Sequence, residues 1–311
     1  MARAYGGDCR VIAAAHPFDW HFHLFWSIAV PVLLVAYLAA IRTPSQRATG
    51  RQVLCFTCGL VVVGVAVLWP LGDLAAHWSL LALVLQRLLL MLAVPPLLVV
   101  GTPRPILIRL TRPAPIDAVL RIAVRPIPAV AIVTVIAVGT LTTGIVSLTT
   151  SSEVARIIVQ CLVVGAGFVL WAPVMSELPG SKKITALGRG GYLIVQSIVP
   201  SFLSIVWIFA TRPLYAAYNH HGTVLGLAPK LDQQLSGFLA KLSTIAVLWT
   251  VAFIIMTRGQ VFAGHNDDVE PLLWTDVERE IERAERAERR ERERRDYGPG
   301  GPGDPPIGWG N

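Results

Sequence analysis

Residues 78–100 of the chain read WSLLALVLQRLLLMLAVPPLLVV, a run in which Arg87 is the one charged side chain. A helix needs about 20 apolar residues to cross the hydrocarbon core of a bilayer, so this run predicts a transmembrane helix. The apolar character is continuous and does not alternate between residues, as it would in the strands of a spanning barrel. The stretch therefore indicates a helical membrane protein.

Six further segments have the same length and character, and each is bounded by charge, Pro or Gly. They cover roughly residues 22–41, 53–71, 127–147, 154–175, 191–210 and 237–256. The whole chain is 54% hydrophobic and only 15% charged, whereas about a quarter of the residues in a soluble domain are charged. We therefore predict an all-α, polytopic membrane helix bundle with seven transmembrane helices in residues 22–257.

The distribution of basic residues predicts the orientation of this bundle. Loops 42–52, 101–126 and 176–190 hold eleven Lys or Arg, whereas the segments on the opposite side hold four: 1–21, 72–77, 148–153 and 211–236. Because cytoplasmic loops carry the excess of basic residues, the first set is expected in the cytoplasm. The N-terminal segment 1–21 is then outside, and residues 258–311 are cytoplasmic. The net charge of +7 is explained by this topology, and no nucleic-acid partner is expected.

The predicted cytoplasmic segment has two parts. Residues 278–296 alternate Glu and Arg with favourable i,i+4 pairs and almost no apolar stripe, which predicts a solvated single helix. Residues 298–311 are rich in Gly and Pro and are expected to be disordered. Two interpretations remain open for this tail, a solvated extension and a docking segment for a cytoplasmic partner.

Most histidines of the chain fall on the predicted outer side of the membrane. Three lie in the stretch HPFDWHFH at residues 16–23, directly before the first apolar run. Imidazole is a ligand for copper, zinc and iron, so these residues are candidate metal ligands. The alternative is that they anchor the protein at the bilayer surface together with aromatic residues. The six candidates are His16, His21, His23, His77, His220 and His221.

Arg87 is the unusual residue of the third predicted helix. It lies nine residues inside the run, which corresponds to a depth of roughly 13 Å. An arginine at mid-membrane costs on the order of 2.5–3.5 kcal/mol on insertion scales, so its side chain should face the bundle interior. We expect its partner to be a glutamine or an outer carboxylate, because no acidic residue lies inside a predicted helix. The candidate glutamines are Gln86, Gln160 and Gln196.

Four motifs in the same order along the chain resemble those of the CtaG family of cytochrome c oxidase assembly factors. They are QRLLLMLAVPPLLVVGTP at 86–103, FVLWAPV at 168–174, RPLYAAY at 212–218 and LDQQLSG at 231–237. The resemblance covers about residues 60–257. It implies a bundle of seven spans that matures the oxidase, plausibly at its copper centre outside the membrane. It also implies oxidase subunits as partners, copper as a candidate ligand, the bacterial plasma membrane as location and no catalytic residues.

The resemblance also assigns individual positions. Its polar motif residues are present here as Tyr215, Tyr218, Asp232, Gln233 and Gln234. Its histidines are not: the H-x-x-x-H of its third span corresponds to Leu83 and Arg87, and its fifth-span histidine corresponds to Gln160. Arg87 and Gln160 are therefore functional candidates at altered positions.

Two other functions are consistent with the sequence. The lost histidines favour a metal-free membrane scaffold or an accessory subunit of a respiratory complex. Interrupted spans and an intramembrane arginine are also typical of small-solute transporters, although no inverted repeat is visible. A membrane hydrolase is disfavoured, because the chain contains neither an H-E-x-x-H motif nor a nucleophile elbow.

Overall fold

The computed structural model describes the chain in five stretches and four isolated residues. These are 23–43, 47–175, 185–198, 201–218 and 227–266, with Glu285, Arg286, Glu288 and Arg289. Within these residues the chain is helical and contains no strand, which confirms the all-α prediction. Six helical stretches are long and apolar enough to cross a membrane, or seven when one bent pair counts as a span.

The first half of the described chain contains the first three spans and two short helices that follow them. Spans one and two are single helices, and α2 begins at a capping box formed by Thr49 and Gln52. The third span, Leu80–Gly101, contains α4, a π-helical turn and α5. The elements are α1 Leu24–Ile41, α2 Gly50–Val67, α3 Leu71–Asp73, a π-helical turn Leu74–Trp78, α4 Leu80–Leu88, a π-helical turn Leu89–Ala93, α5 Val94–Gly101, α6 Arg104–Thr111 and α7 Ala114–Ala123.

The second half contains the remaining spans. The sixth span extends over Ala186–Phe209, and the seventh occupies Pro229–Arg258 of a longer helix. The elements are α8 Pro126–Gly139, α9 Thr143–Ser151, α10 Glu153–Trp171, α11 Ala186–Ile198, α12 Ser201–Phe209, a 3-10 turn Ala216–Tyr218 and α13 Pro229–Asn266.

The fourth span differs from the continuous helix that the sequence predicts. It corresponds to α8 and α9, which are bent by 62° at a short break and are long and apolar enough to cross a membrane only when they are taken together. At the break, the hydroxyls of Thr140 and Thr142 donate hydrogen bonds back to the carbonyls of Ala137 and Gly139. Such bonds from Thr side chains to nearby backbone compete with regular helix geometry, which accounts for the bend. Continuous apolarity did not reveal it, because the apolar side chains continue on both sides.

The third span is the centre of the bundle. Half of its apolar window is buried, against 11% for α1, and Leu90 and Val94 are completely inaccessible. The centre therefore holds the span that carries Arg87.

A proline shapes the third span and fixes its contact with the fifth. Pro95 has no N–H, so the carbonyl of Met91 one turn earlier loses its helical partner. The indole Nε1 of Trp171 donates to this carbonyl at 3.3 Å. Gly167 permits the approach, since a Cβ there would lie 2.6 Å from both the Met91 oxygen and Pro95 Cγ. The segments that carry the PPLL and FVLWAPV motifs thus pack against each other in one helix–helix contact, which we call the joint between the third and fifth spans.

The chain divides into two compact units, residues 1–259 and 260–311. In the second unit, Glu285, Arg286, Glu288 and Arg289 are helical and exposed. The rest of the predicted helix 278–296, the Gly/Pro-rich end and the N-terminal segment 1–21 lie beyond the stretches that the structure describes.

Candidate functional site

The buried guanidinium of Arg87 binds the break in the fourth span. Its Nη1 donates to the carbonyl of Thr140, which caps the C-terminal end of α8. A positive charge at this end complements the helix dipole. The partner is thus a backbone carbonyl and not the glutamine or carboxylate that we expected. Gln86 donates instead to the carbonyl of Ala66 at 2.8 Å, and Gln160 accepts from the indole of Trp26 at 2.7 Å.

The two tyrosines of the RPLYAAY motif bind further backbone groups. The hydroxyl of Tyr215 donates to the next carbonyl of the same break, that of Leu141, at 2.6 Å, and accepts from Trp207 Nε1 at 3.1 Å. The hydroxyl of Tyr218 donates to the carbonyl of Ala75 at 2.8 Å. Burial raises the pKa of both phenols above the usual value, so both remain neutral hydrogen-bond donors.

Asp232 holds the N-terminus of the third span. Its carboxylate accepts from the Ser79 hydroxyl at 2.6 Å and from the backbone N–H of Leu80 at 2.8 Å. Ser79 is the N-cap of α4 and itself accepts from the N–H of Ala82. A carboxylate at this position satisfies otherwise unpaired amides and complements the helix dipole. The LDQQLSG motif thereby connects the seventh span to the third.

The two glutamines of that motif hold the end of the sixth span. Gln233 accepts from the N–H of Leu214 at 2.7 Å and donates to the carbonyl of Trp207 at 3.4 Å. Gln234 donates to the carbonyl of Ile208 at 3.0 Å. The last carbonyls of a helix have no partner within it, so both side chains act as C-terminal caps of α12.

The candidate metal ligands are only partly described. His23 and Asp73 are buried, and the imidazole Nε2–H donates to the carboxylate at 3.0 Å. His77 is half-buried in the π-helical turn four residues after Asp73. His16, His21, His220 and His221 lie outside the described residues. Among the residues that are described, no group of three or more His, Cys, Asp or Glu could hold a metal ion.

The three positions that the resemblance assigns to imidazoles do meet in space. Leu83, Arg87 and Gln160 line one small cavity of about 10 Å³, together with Arg156. Copper binds imidazole, thiolate or carboxylate, and none of these groups lines the cavity. Two guanidinium groups also repel a cation. The residues present therefore do not fit a copper ion at this position. Sequence analysis missed Arg156, although its spacing of four residues from Gln160 places the two on one helix face.

A second cavity shares Arg87 and Val163 with the first. It has a volume of about 70 Å³ and a mainly apolar wall that includes Arg87, Ser204 and Thr244. Gln196 also lines it and is almost completely buried. Neither amide atom of this side chain has a hydrogen-bond partner among the described residues.

The helices and the buried hydrogen bonds together define the class of this protein. The chain is a multi-pass helical membrane protein whose buried polar side chains bind backbone groups at span ends and breaks. Its residues 23–259 match the family described as cytochrome c oxidase caa3 assembly factor, and the chain belongs to this family. The match confirms the resemblance inferred from the four motifs. No curated protein and no solved structure is significantly similar to the chain.

Proposed function

We propose that this chain assists the assembly of a caa3-type cytochrome c oxidase as a non-catalytic scaffold in the bacterial plasma membrane. The observation that carries the proposal is the family match, which extends from the start of the first span to the end of the seventh. The partners are then oxidase subunits, met within or beside the bilayer.

The roles of the motif residues support a scaffold. Tyr215, Asp232, Gln233 and Gln234 each bind a backbone group of another helix or loop. In hydrocarbon, where water does not satisfy backbone groups, such bonds hold irregular segments in place. The residues that are shared with the family thus maintain one shape of the bundle, as a docking protein needs.

Affinity purification from native membranes tests the proposal. The tagged chain should enrich oxidase subunits, detected by mass spectrometry, relative to a tagged multi-pass protein of unrelated function solubilised in the same detergent. Equal amounts of oxidase subunits in both samples contradict the proposed role.

A second candidate function is the retention of copper for the oxidase on the predicted outer face. The specific observation in its favour is the buried pair of His23 and Asp73. A carboxylate that accepts from one imidazole nitrogen orients the ring of a metal ligand and raises its basicity. His16 and His21 are close to this pair in sequence and would complete the ligand set.

Metal analysis of the purified protein separates the two candidates. Copper retention requires stoichiometric copper in the wild type, which is lost in H23A and in the double variant H16A/H21A. A copper content that does not depend on these substitutions leaves the scaffold role alone.

A further inference from the structure

Two arginines line the same small cavity between the third and fifth spans. Arg87 lies on α4 and Arg156 in the first turn of α10, and both contribute to the wall of the cavity of about 10 Å³. This volume accommodates one species of about the size of a water molecule. The other polar side chains on the wall are those of Gln86, Thr149 and Gln160. No carboxylate belongs to the wall.

The acidic residues Asp73 and Asp232 do not line this cavity, and they hydrogen-bond to groups outside its wall. Arg87 is buried and donates to a neutral carbonyl. Asp73 is bound by His23, and Asp232 is bound by Ser79 and the N–H of Leu80. Two like charges in a region of low dielectric strongly favour a counter-charge between them.

Both arginines also act electrostatically on the hydroxyl of Tyr218. Burial raises the pKa of its phenol, Arg87 and Arg156 oppose this rise, and Asp232 and Tyr215 add to it. The two cations therefore act on the same hydroxyl. The phenol stays neutral and does not balance their charge.

We propose that Arg87 and Arg156 bind one small inorganic anion, of the size of chloride, in the cavity that they share. Guanidinium N–H groups form charge-assisted hydrogen bonds with anions. Gln160 adds amide N–H donors, since its oxygen already accepts from Trp26. The small volume favours a monatomic anion over sulfate and phosphate, and the positive charge disfavours metal cations. This site goes beyond the proposed function and does not depend on it.

Anion exchange on the purified protein in lipid nanodiscs tests the site. Chloride or bromide replaces gluconate at constant ionic strength, and the midpoint of thermal unfolding is recorded at each concentration. The wild type should show a saturable stabilisation by chloride and bromide and none by sulfate. An unfolding midpoint that is the same in gluconate and in chloride overturns the proposal.

Two matched variants assign the effect to the cavity. R156Q removes one of the two charges at a half-buried position, and the apparent affinity for chloride should fall at least about tenfold, as expected for the loss of a charge-assisted hydrogen bond. R42Q removes an exposed arginine after the first span and should leave the chloride titration unchanged. A titration of R156Q that equals that of the wild type, or an equal loss in R42Q, overturns the proposal.

Discussion

At the scale of single residues, the buried polar side chains act mainly on the backbone. Arg87 and Tyr215 donate hydrogen bonds to two consecutive carbonyls at the break between α8 and α9. Asp232 accepts a hydrogen bond from an amide at the start of the third span. An unsatisfied backbone group in hydrocarbon costs several kcal/mol. The bonds of Arg87 and Tyr215 therefore permit the break in the fourth span, and the bond of Asp232 satisfies an amide that every helix leaves unpaired at its start. The residues that the sequence offers as functional candidates thus stabilise the break in the fourth span and the start of the third span.

We expect the variant Y215F to unfold more easily than the wild type. The substitution leaves the carbonyl of Leu141 and the indole N–H of Trp207 without partners. The expected loss is about 1–3 kcal/mol in the free energy of unfolding, measured by denaturant titration in detergent micelles. S151A removes an exposed hydroxyl that bonds only within its own helix, and it should change this energy by less than about 0.5 kcal/mol.

We also expect D232N to destabilise the start of the third span. An amide accepts through one oxygen only, whereas the carboxylate accepts from Ser79 through one oxygen and from Leu80 through the other. A loss of about 1–3 kcal/mol should follow. E153Q is the matched control, because Glu153 is an exposed acid in the first turn of α10 and contributes at most about 1 kcal/mol through the helix dipole. Equal losses of unfolding free energy in D232N and E153Q would contradict the prediction, because the bonds of Asp232 to Ser79 and Leu80 would then add nothing to the effect of its charge.

The sequence singled out these residues as candidates but did not indicate what they bind. The depth of Arg87 in an apolar run indicated an interior side chain, and burial in the structure agrees. Its partner lies at the break between α8 and α9, which continuous apolarity in the sequence does not reveal. Pairs such as Trp26 with Gln160 join residues 134 positions apart, and no local pattern specifies them.

At the scale of helices, the joint between the third and fifth spans is the most tightly constrained contact. Pro95 frees the Met91 carbonyl, Trp171 binds it, and Gly167 lets the helices approach. The motif pattern singled out both segments as shared with the family. The contact itself emerges only when the two spans are neighbours.

The variant G167A should separate these two helices. Its new Cβ would lie 2.6 Å from the Met91 oxygen and from Pro95, so a backbone shift with a cost of about 1–3 kcal/mol is expected. G165A on the same helix has no atom within 4 Å of the new Cβ and should be neutral or stabilising by up to about 1 kcal/mol. Unfolding titrations of both variants check this difference, and equal stabilities would contradict the joint.

At the scale of the whole molecule, composition was sufficient for the fold class. Continuous apolar runs of about 20 residues predict spans because the bilayer thickness fixes their length, and six or seven such spans are found. The outward orientation of the N-terminus rests on the basic residues of the loops and stays a prediction. The identity of any ligand is not encoded in apolar periodicity, since it depends on which side chains of different spans meet.

The amount of assembled caa3-type oxidase in a strain without this chain tests the central claim most directly. Haem absorbance of the membranes and the rate of cytochrome c oxidation report this amount. We predict a clear decrease of both in the deletion strain, restoration by the wild-type chain and by G165A, and weaker restoration by G167A. Oxidase content and activity that stay at the level of the parent strain after the deletion would contradict an assembly role.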